Sequence, residues 1–239
     1  DNTMVVGLGQ TREWFRYHTL LRDLLRHELL ATDPGSLPRL HGVAAEWLRA
    51  HGEPIEAMHH AVAAGNWSLM ARILVTSAAP LVVTVQRSNL VDVLEEAAKR
   101  TDLMSRPDLL VCAAVLHYFH RDLPALADDI SAARLLMADR TRWSDAATED
   151  GTEIILELLT VALGRSAGDM PIVAAACLAA LRLLDDAGDD ELPAAPAYRA
   201  LATGNLGVAR YWEADLNGAE QSFASAHDDV ERAGREVVA

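Results

Sequence analysis

Three segments with a common residue pattern decide the fold of this chain. They are RDLPALADDISAA at 121–133, GDMPIVAAACLAA at 168–180 and ADLNGAEQSFASA at 214–226. An aspartate is the second residue of every copy, and successive aspartates are 47 and 46 residues apart. Because an aspartate side chain accepts hydrogen bonds from the free N–H groups of a helix N-terminus, each copy predicts the start of a helix. The expected capping residues are Asp122, Asp169 and Asp215.

Apolar or small residues recur on one face of the helix that each aspartate starts. The positions four, eight and eleven residues after the aspartate share that face. They hold Leu126, Ile130 and Ala133 in the first copy, Val173, Cys177 and Ala180 in the second, and Ala219, Phe223 and Ala226 in the third. A fixed period of about 20–50 residues is typical of stacked units that cannot bury their apolar faces alone. The sequence therefore predicts an all-α fold, an α-solenoid, and Asn66 fits the same pattern loosely upstream.

Helical periodicity, with residues typical of helix starts and stops, extends over most of the remaining chain. Helices are expected at 18–31, 36–51, 54–65, 66–78, 88–100, 107–120, 123–139, 145–164, 170–187, 195–213 and 216–233. Ser36, Asn66 and Ser88 are expected to cap three of them. The segment 81–85 is rich in β-branched residues, but it lies among helices and has no evident partner strand.

The N-terminus has a different pattern. Residues 3–8 are β-branched and apolar, residues 13–17 are rich in aromatics, and residues 9–12 between them are typical of a turn. This arrangement predicts a β-hairpin. A two-stranded hairpin is marginally stable alone in water, so this one needs a partner. Because residue 1 is Asp and not Met, we expect the chain to begin inside a larger domain.

Composition and charge exclude several classes of protein. The chain of 239 residues is 51% hydrophobic and 23% charged, with a formal net charge of −14. Residues 101–239 carry 24 acidic and 11 basic side chains, and DNA should repel this part because DNA binding depends on neutralising phosphates. The two cysteines cannot form a disulfide scaffold, and no apolar run approaches the roughly 20 residues that a membrane-spanning helix needs. No signal peptide is visible, so we expect a cytoplasmic chain that does not contact a membrane.

The last repeat resembles a known helical repeat. Leu206-Gly207, Ala219, Phe223 and Ala226 reproduce the LG…A…F…A core spacing of a tetratricopeptide repeat. The two earlier copies are longer and carry no diagnostic motif. The expected fold is therefore a tetratricopeptide-like α-solenoid with a short N-terminal β-hairpin.

Two phrases near the N-terminus resemble a family of regulators. WFRYH at 14–18, followed by LLR at 24–26, is similar to the segment that closes the winged-helix part of MalT-like, LuxR-type ATP-dependent transcription regulators. AAEW at 44–47, then EA at 56–57, HA at 60–61 and AGNW at 64–67, is similar to the helical segment that follows it, although Met58 and Leu69 vary that phrase. The residues that carry the resemblance are Arg16, Tyr17, His18, Trp47, His60 and Trp67.

The resemblance implies a division of the chain and a role for it. Residues 1–33 would be the end of a winged-helix domain, 34–100 a helical arm, and 101–239 the tetratricopeptide-like repeats of a sensor domain. In that family an ATPase domain precedes these parts and a DNA-binding helix-turn-helix follows them. The chain has no G-x-x-x-x-G-K-[ST] motif, and its single lysine, Lys99, follows no glycine-rich loop. ATP is thus expected only in an N-terminal domain outside this chain, which itself would hold no cofactor and make no direct contact with nucleic acid.

The implied function is regulatory and non-catalytic. The repeats would sense a small-molecule inducer or a regulatory protein and transmit that event through the arm to the ATPase, and self-association is possible. The alternative is a tetratricopeptide-like protein-interaction scaffold of another signalling ATPase. A remote alternative is a hydrolase, because GRSAG at 164–168 matches the G-x-S-x-G nucleophile elbow around Ser166. The elbow needs a strand-to-helix turn, whereas a helical pattern precedes Ser166.

Other chemical motifs are weak in this sequence. His117 and His120 lie three residues apart on one helix, but no further metal ligand is evident, so no metal site is expected. The acidic run between 185 and 191 lacks EF-hand spacing and is expected to be a solvated loop. Cys112 and Cys177 lie on apolar helix faces and are expected to be buried and unreactive.

The remaining candidates are residues on the predicted groove. In tetratricopeptide units the first helix of each pair lines the concave face. The position four residues before each aspartate holds Tyr118, Arg165 and Tyr211, and these are the candidate contacts to a ligand or partner. Aromatic and arginine side chains are common at recognition surfaces. Simple packing or solvent exposure stays an open alternative for all three.

Overall fold

The structure is a computed structural model that describes residues 4–8, 14–78, 80–81, 84, 86–104, 106–137, 146–187 and 192–236. Two short strands come first, β1 (Val5–Leu8) and β2 (Trp14–Tyr17). They pair antiparallel, with Val5 opposite Tyr17 and Leu8 opposite Trp14. The predicted turn at 9–12 lies outside the described residues, as does most of the segment 81–85.

Helices make up every later element in the described part of the chain. They are α1 (Thr19–Thr32), α2 (Ser36–Ala50), α3 (Pro54–Ala64), α4 (Trp67–Ile73), a π-helix (Leu74–Ala78), α5 (Arg87–Arg100), α6 (Pro107–His120), α7 (Leu123–Met137), α8 (Ala146–Ala167), α9 (Met170–Asp186), α10 (Ala195–Trp212) and α11 (Leu216–Glu236). The hairpins α6–α7, α8–α9 and α10–α11 follow one another, and α9 also packs on α10. This succession of helix pairs is consistent with an α-solenoid.

One turn geometry joins the two helices of each of these pairs. The residue before each aspartate, Arg121, Gly168 or Ala214, has a left-handed φ of 59°, 73° or 64°. The N–H of each aspartate donates to the carbonyl five residues earlier at 2.8–3.0 Å, as in a Schellman motif. Each aspartate Oδ1 then accepts from the N–H three residues ahead, at 3.2, 3.1 and 3.0 Å. The three predicted caps are confirmed.

A fourth turn of the same kind joins α3 to α4. Gly65 has a φ of 67°, and the Asn66 N–H donates to the Ala61 carbonyl at 2.9 Å. The Asn66 Oδ1 accepts from the Leu69 N–H at 3.1 Å. The loose match of Asn66 to the repeat is therefore a match of turn geometry.

Two other predicted caps are wrong. Ser36 is the first residue of α2, and its hydroxyl donates backwards to the Asp33 carbonyl at 2.9 Å, because the chain already turns at Asp33. Ser88 lies inside α5, which begins at Arg87 with no side-chain cap. The Thr84 hydroxyl accepts from the Gln86 N–H at 3.2 Å, so the turn that starts this helix comes before Ser88.

The predicted apolar faces are buried in the first two repeats and partly exposed in the third. Phe223 was expected in the core, but 45% of it is exposed. Its ring lies over Gly207 of α10, where an added Cβ would come within 2.8 Å of it. In the described part of the chain α11 packs mainly against α10, so the outer side of the ring has no cover.

The π-helix is a feature that the sequence did not predict. A regular helix was expected over 66–78, but the last five residues widen into a π-turn. Such a turn disturbs the regular carbonyl pattern of a helix. Two carbonyl groups of this turn accept hydrogen bonds from residues that are distant in the sequence. The Val75 carbonyl accepts from the Tyr198 hydroxyl at 2.7 Å, and the Thr76 carbonyl accepts from the Ala194 N–H at 3.0 Å. One buried apolar cluster accordingly extends from Ala45 to Tyr198.

The turn geometry predicts opposite effects for two matched substitutions. We expect Gly168→Ala to lower the free energy of unfolding by about 1 kcal/mol, because a side chain disfavours a left-handed φ. Nothing lies within 4 Å of a Cβ added at Gly168, so packing does not interfere. Ala214→Gly should stabilise the chain by about 0.5–1 kcal/mol for the same reason. Urea unfolding measures both, and a neutral Gly168→Ala would contradict the shared geometry.

The contact between α8 and the π-helix predicts another stability effect. A Cβ added at Gly151 would lie 2.8 Å from the Val75 carbonyl oxygen, which is backbone and cannot move aside cheaply. We expect Gly151→Ala to cost about 1–3 kcal/mol in overpacking, against a helix-propensity gain of about 1 kcal/mol. Gly42→Ala in α2 is the control, because nothing lies within 4 Å of its added Cβ. Equal stabilisation of both variants in urea unfolding would refute the close contact.

Candidate functional site

A pocket of about 450 Å³ opens between α6, α8 and α10. These are the first helices of the three repeat pairs, and the second helices contribute no lining residue. The lining residues are Val115 and Tyr118 from α6, Ile155, Leu158, Leu159, Val161, Ala162, Arg165 and Ser166 from α8, and Tyr198, Leu201 and Asn205 from α10. The volume falls within the usual range for small-molecule sites, about 300–1,000 Å³.

The floor of the pocket is apolar and fixed in place. Val115, Ile155 and Leu159 are buried and belong to the main core. Tyr198 is also buried, and its hydroxyl is held by the Val75 carbonyl of the π-helix. Burial raises the pKa of the Tyr198 hydroxyl well above its usual value, so it stays protonated as a donor. The floor therefore offers a rigid apolar surface, and one of its residues, Tyr198, is hydrogen-bonded directly to the π-helix.

Polar groups lie at one end of the pocket. The Arg165 guanidinium donates through Nη1 to Asn205 Oδ1 at 2.7 Å, and Asn205 Nδ2 donates to the Leu201 carbonyl at 2.8 Å. The Ser166 hydroxyl donates to the Ala162 carbonyl at 2.9 Å. No Asp or Glu is among the described residues that line the pocket. The site thus combines an apolar floor with one positive charge.

Two of the three groove candidates lie at this pocket. Tyr118 and Arg165 both line it, whereas Tyr211 is 60% exposed and lies outside it, near the end of α10. Tyr118 borders α8 and Arg165 borders α10, so each lies next to the first helix of the following pair. Tyr211 occupies the corresponding position in the last pair, and no further helix lies beside it in the described residues.

Sequence reasoning missed two residues of the site, Asn205 and Tyr198. Asn205 follows Arg165 by 40 residues, a separation that differs from the repeat period, so the repeat alignment does not pair the two. Tyr198 lies one turn into α10, and its partner, Val75, is 123 residues away. The one local signal in the sequence was the polar amide of Asn205 in an otherwise apolar stretch of helix.

The residues of the family phrases have mostly structural surroundings. Arg16 and Tyr17 lie on β2, and the His18 Nδ1 accepts from the Leu20 N–H at 3.4 Å at the start of α1. Trp47 stacks on His51 with ring centroids 3.8 Å apart. Trp67 packs against the core, with the Arg100 guanidinium 5.8 Å from its ring centroid.

His60 makes a contact that the sequence did not suggest. Its Nδ1 lies 3.0 Å from the Nδ1 of His41, across the interface of α2 and α3. Burial lowers the pKa of both imidazoles; for His60 the charges of His41 and His59 lower it further. The two rings are therefore held close to neutral, one donating to the other.

The other chemical motifs do not assemble into a reactive site. Ser166 lies inside α8, so the strand-to-helix turn of a nucleophile elbow is absent there. His117 Nδ1 lies 2.6 Å from Asp129 Oδ2, and His120 Nε2 lies 3.2 Å from Glu95 Oε1. Across the described ranges, no group of three or more His, Cys, Asp or Glu side chains could hold a metal ion.

The cysteines agree with their simple interpretation, whereas the described part of the acidic run does not, because Asp185 and Asp186 lie in the last turn of α9 and not in a loop. Cys112 and Cys177 are buried, and burial raises the pKa of both thiols, that of Cys177 to about 12. Asp185 pairs with Arg199 at 2.7 Å, while residues 188–191 lie outside the described residues. Among the helices that the structure describes, none is long and apolar enough to cross a bilayer.

Comparison with known proteins identifies the N-terminal segment. Residues 1–37 match the family model of the MalT winged helix domain. This range contains the β1–β2 hairpin and α1, so the segment is similar to the winged-helix domain of MalT-like regulators. No solved structure matches the chain.

The bond between Tyr198 and the π-helix predicts unequal effects for two Tyr→Phe substitutions. Tyr198→Phe should lower the free energy of unfolding by about 1–3 kcal/mol, because the buried Val75 carbonyl loses its donor. Tyr118→Phe is the control: its hydroxyl has no hydrogen-bond partner among the described residues, so we expect a change within about 0.5 kcal/mol. Urea unfolding measures both changes. Equal values for the two variants would show that the Tyr198 bond adds nothing.

Proposed function

We propose that this chain is a signal-sensing, non-catalytic region of a MalT-like, LuxR-type transcription regulator of the bacterial cytoplasm. Its helix pairs would form a tetratricopeptide-like sensor, and the α6–α8–α10 pocket would bind a small-molecule inducer. The ATPase and the DNA-reading domain would lie outside residues 1–239. The observation that carries this proposal is a pocket of ligand size lined by the first helices of three consecutive pairs.

Three further observations support the proposal. The match of residues 1–37 to the MalT winged helix domain supplies the regulatory context. The pocket also has the common character of a ligand site, which is a mostly apolar lining with a few polar groups at one end. The acidic charge of residues 101–239 agrees with a sensing role and opposes direct contact with DNA.

The bond between Tyr198 and Val75 offers a route for the signal. A ligand that contacts Tyr198 in the pocket touches the residue that holds the π-helix within the arm. Ligand binding need only favour one of two arrangements of the arm, because a ligand shifts an equilibrium by its difference in affinity for the two states. The arm in turn continues through α3 and α2 to α1, which belongs to the segment that resembles a winged helix.

A protein-interaction role is the second candidate, and one observation favours it. Several large apolar side chains on α1 and α2 are exposed, namely Leu20, Leu24, Leu25, Leu30, Leu40, Val43 and Trp47. Exposed apolar surface of this kind marks interaction sites in soluble proteins. Self-association or contact with a regulatory protein would use this surface. It is separate from the pocket, so the two candidates make different predictions for pocket variants.

Thiol protection tests the pocket directly. Ser166→Cys places a thiol at the polar end of the pocket, and both native cysteines are buried with raised thiol pKa values, so they should react slowly. The control is Ser131→Cys on α7, an exposed helical serine whose hydroxyl donates to the Ala127 carbonyl at 2.9 Å, as Ser166 does to Ala162. A fluorogenic maleimide reports the rate of reaction at each thiol.

The ligand set should contain oligosaccharides, organic acids and their amides, and short peptides. We expect at least one of these to slow maleimide reaction with the Ser166→Cys variant at least fivefold, to leave the Ser131→Cys variant unchanged, and to raise the melting temperature of the unmodified chain. If every compound left the rate at 166 unchanged, the sensor pocket would be refuted and the interaction scaffold would lead.

A further inference from the structure

We propose that the α6–α8–α10 pocket recognises a carboxylate that carries an apolar body, with Arg165 binding the carboxylate. This inference rests on the proposed ligand-binding role of the pocket and adds the chemical class of the ligand. Neither the family match nor the repeat pattern specifies that class.

The first argument is the partner of Arg165. Two other arginines on the repeat helices bind carboxylates, Arg134 pairing with Glu157 at 2.8 Å and Arg199 with Asp185 at 2.7 Å, whereas Arg210 donates to the neutral oxygens of Gly218 and Ser222 of the neighbouring helix. Arg165 donates one N–H to the neutral oxygen of Asn205 and has no ion-pair partner among the described residues. A guanidinium has five N–H donors, and a planar carboxylate matches two of them at once. Arg165 thus keeps donors for an anion at the pocket.

The second argument is that Asn205 orients the guanidinium. Asn205 accepts from Arg165 Nη1 at 2.7 Å, and its own Nδ2 is tied to the Leu201 carbonyl at 2.8 Å. The amide cannot rotate freely without losing one of these bonds. A charged group held in place by a neutral neighbour loses less conformational entropy when it binds a ligand. Asn205 therefore holds Arg165 in position to bind the carboxylate of a ligand and, being neutral, leaves the positive charge of Arg165 available.

The third argument is the contrast between the two ends of the site. Away from the polar end formed by Arg165, Ser166 and Asn205, the lining consists of aliphatic and aromatic side chains, among them the buried Val115, Ile155 and Leu159. This surface offers few hydrogen-bond partners for the hydroxyl groups of a sugar, whereas it gains free energy from covering an alkyl or aryl group. An aliphatic or aromatic acid satisfies both ends at once.

The charge of the chain limits the ligand to a single negative charge. Residues 101–239 carry 24 acidic and 11 basic side chains, so their overall field disfavours anions. One arginine compensates for this field locally, and no second basic side chain lines the pocket among the described residues. A monoanion suits this arrangement, while a polyphosphate would leave charge unpaired.

A matched pair of probes tests the inference on the full 239-residue chain. Octanoate and octanamide have the same alkyl chain and differ in charge, and 4-phenylbutanoate with its amide forms an aromatic pair. Isothermal titration calorimetry measures their affinities. We expect at least one acid to bind at least tenfold more tightly than its amide. Arg165→Gln should reduce the affinity for that acid about tenfold and remove most of the difference between acid and amide.

The control is Arg134→Gln, which removes an exposed arginine of the neighbouring surface that does not line the pocket. Its acid affinity should equal that of the unmodified chain. Because Arg165 is exposed, we expect its substitution to leave folding unchanged, and circular dichroism with a melting curve checks this for both variants.

The outcomes separate this inference from the proposed function. If an amide or a neutral sugar protects the thiol introduced by Ser166→Cys as well as any acid does, the carboxylate inference is overturned and the sensor pocket stands. If no probe binds or protects, both are overturned. A peptide with a free C-terminal leucine that binds more tightly than the simple acids, and more tightly than its amidated form, supports carboxylate recognition and identifies a protein C-terminus as its source.

Discussion

The helix pairs of this protein depend on a two-residue turn. In each turn a residue with a left-handed φ ends the first helix, and the following aspartate or asparagine caps the second. Because one turn supplies both helix ends, the angle between the two helices is defined locally, and the apolar faces meet without a long loop. The repeat therefore positions α6, α8 and α10 side by side, and the pocket is the space that their facing side chains leave between them.

The pocket and the arm are connected by an unusual stretch of backbone. The π-helix presents the Val75 and Thr76 carbonyls to α10, where the Tyr198 hydroxyl and the Ala194 N–H bind them. The same stretch touches Gly151 of α8, where an added Cβ would lie 2.8 Å from the Val75 carbonyl oxygen. Two of the three pocket helices thus contact this segment directly. For a sensing role, the relevant property is that the wall of the pocket and the π-helix share hydrogen bonds as well as a core.

The features that the sequence predicted well are local ones. The three aspartate caps follow from residues close in the chain, and they are present. The predicted caps at Ser36 and Ser88 were wrong because a turn slightly upstream, at Asp33 or Thr84, had already started each helix. The exposure of Phe223 depends on what packs beyond α11, and the hydrogen bond of Tyr198 depends on a residue 123 positions away. The periodicity of the sequence could therefore predict neither feature. For the site, the repeat alignment placed Tyr118 and Arg165 at the pocket but missed Asn205, which lies out of register with the repeat.

The π-helix also has a consequence for how this chain tolerates changes in length. A π-turn accommodates one residue more than a regular helix does over the same rise. Loss of a single codon within 74–78 would let α4 continue as an ordinary helix, and the carbonyls of that stretch would return to their own helix. The pocket would keep every lining side chain, but its link to the arm would be broken. In descent, the five residues Leu74–Ala78 are thus a place where one deletion would separate the pocket from the helices before it, and under the proposed sensing role that deletion would separate recognition from response.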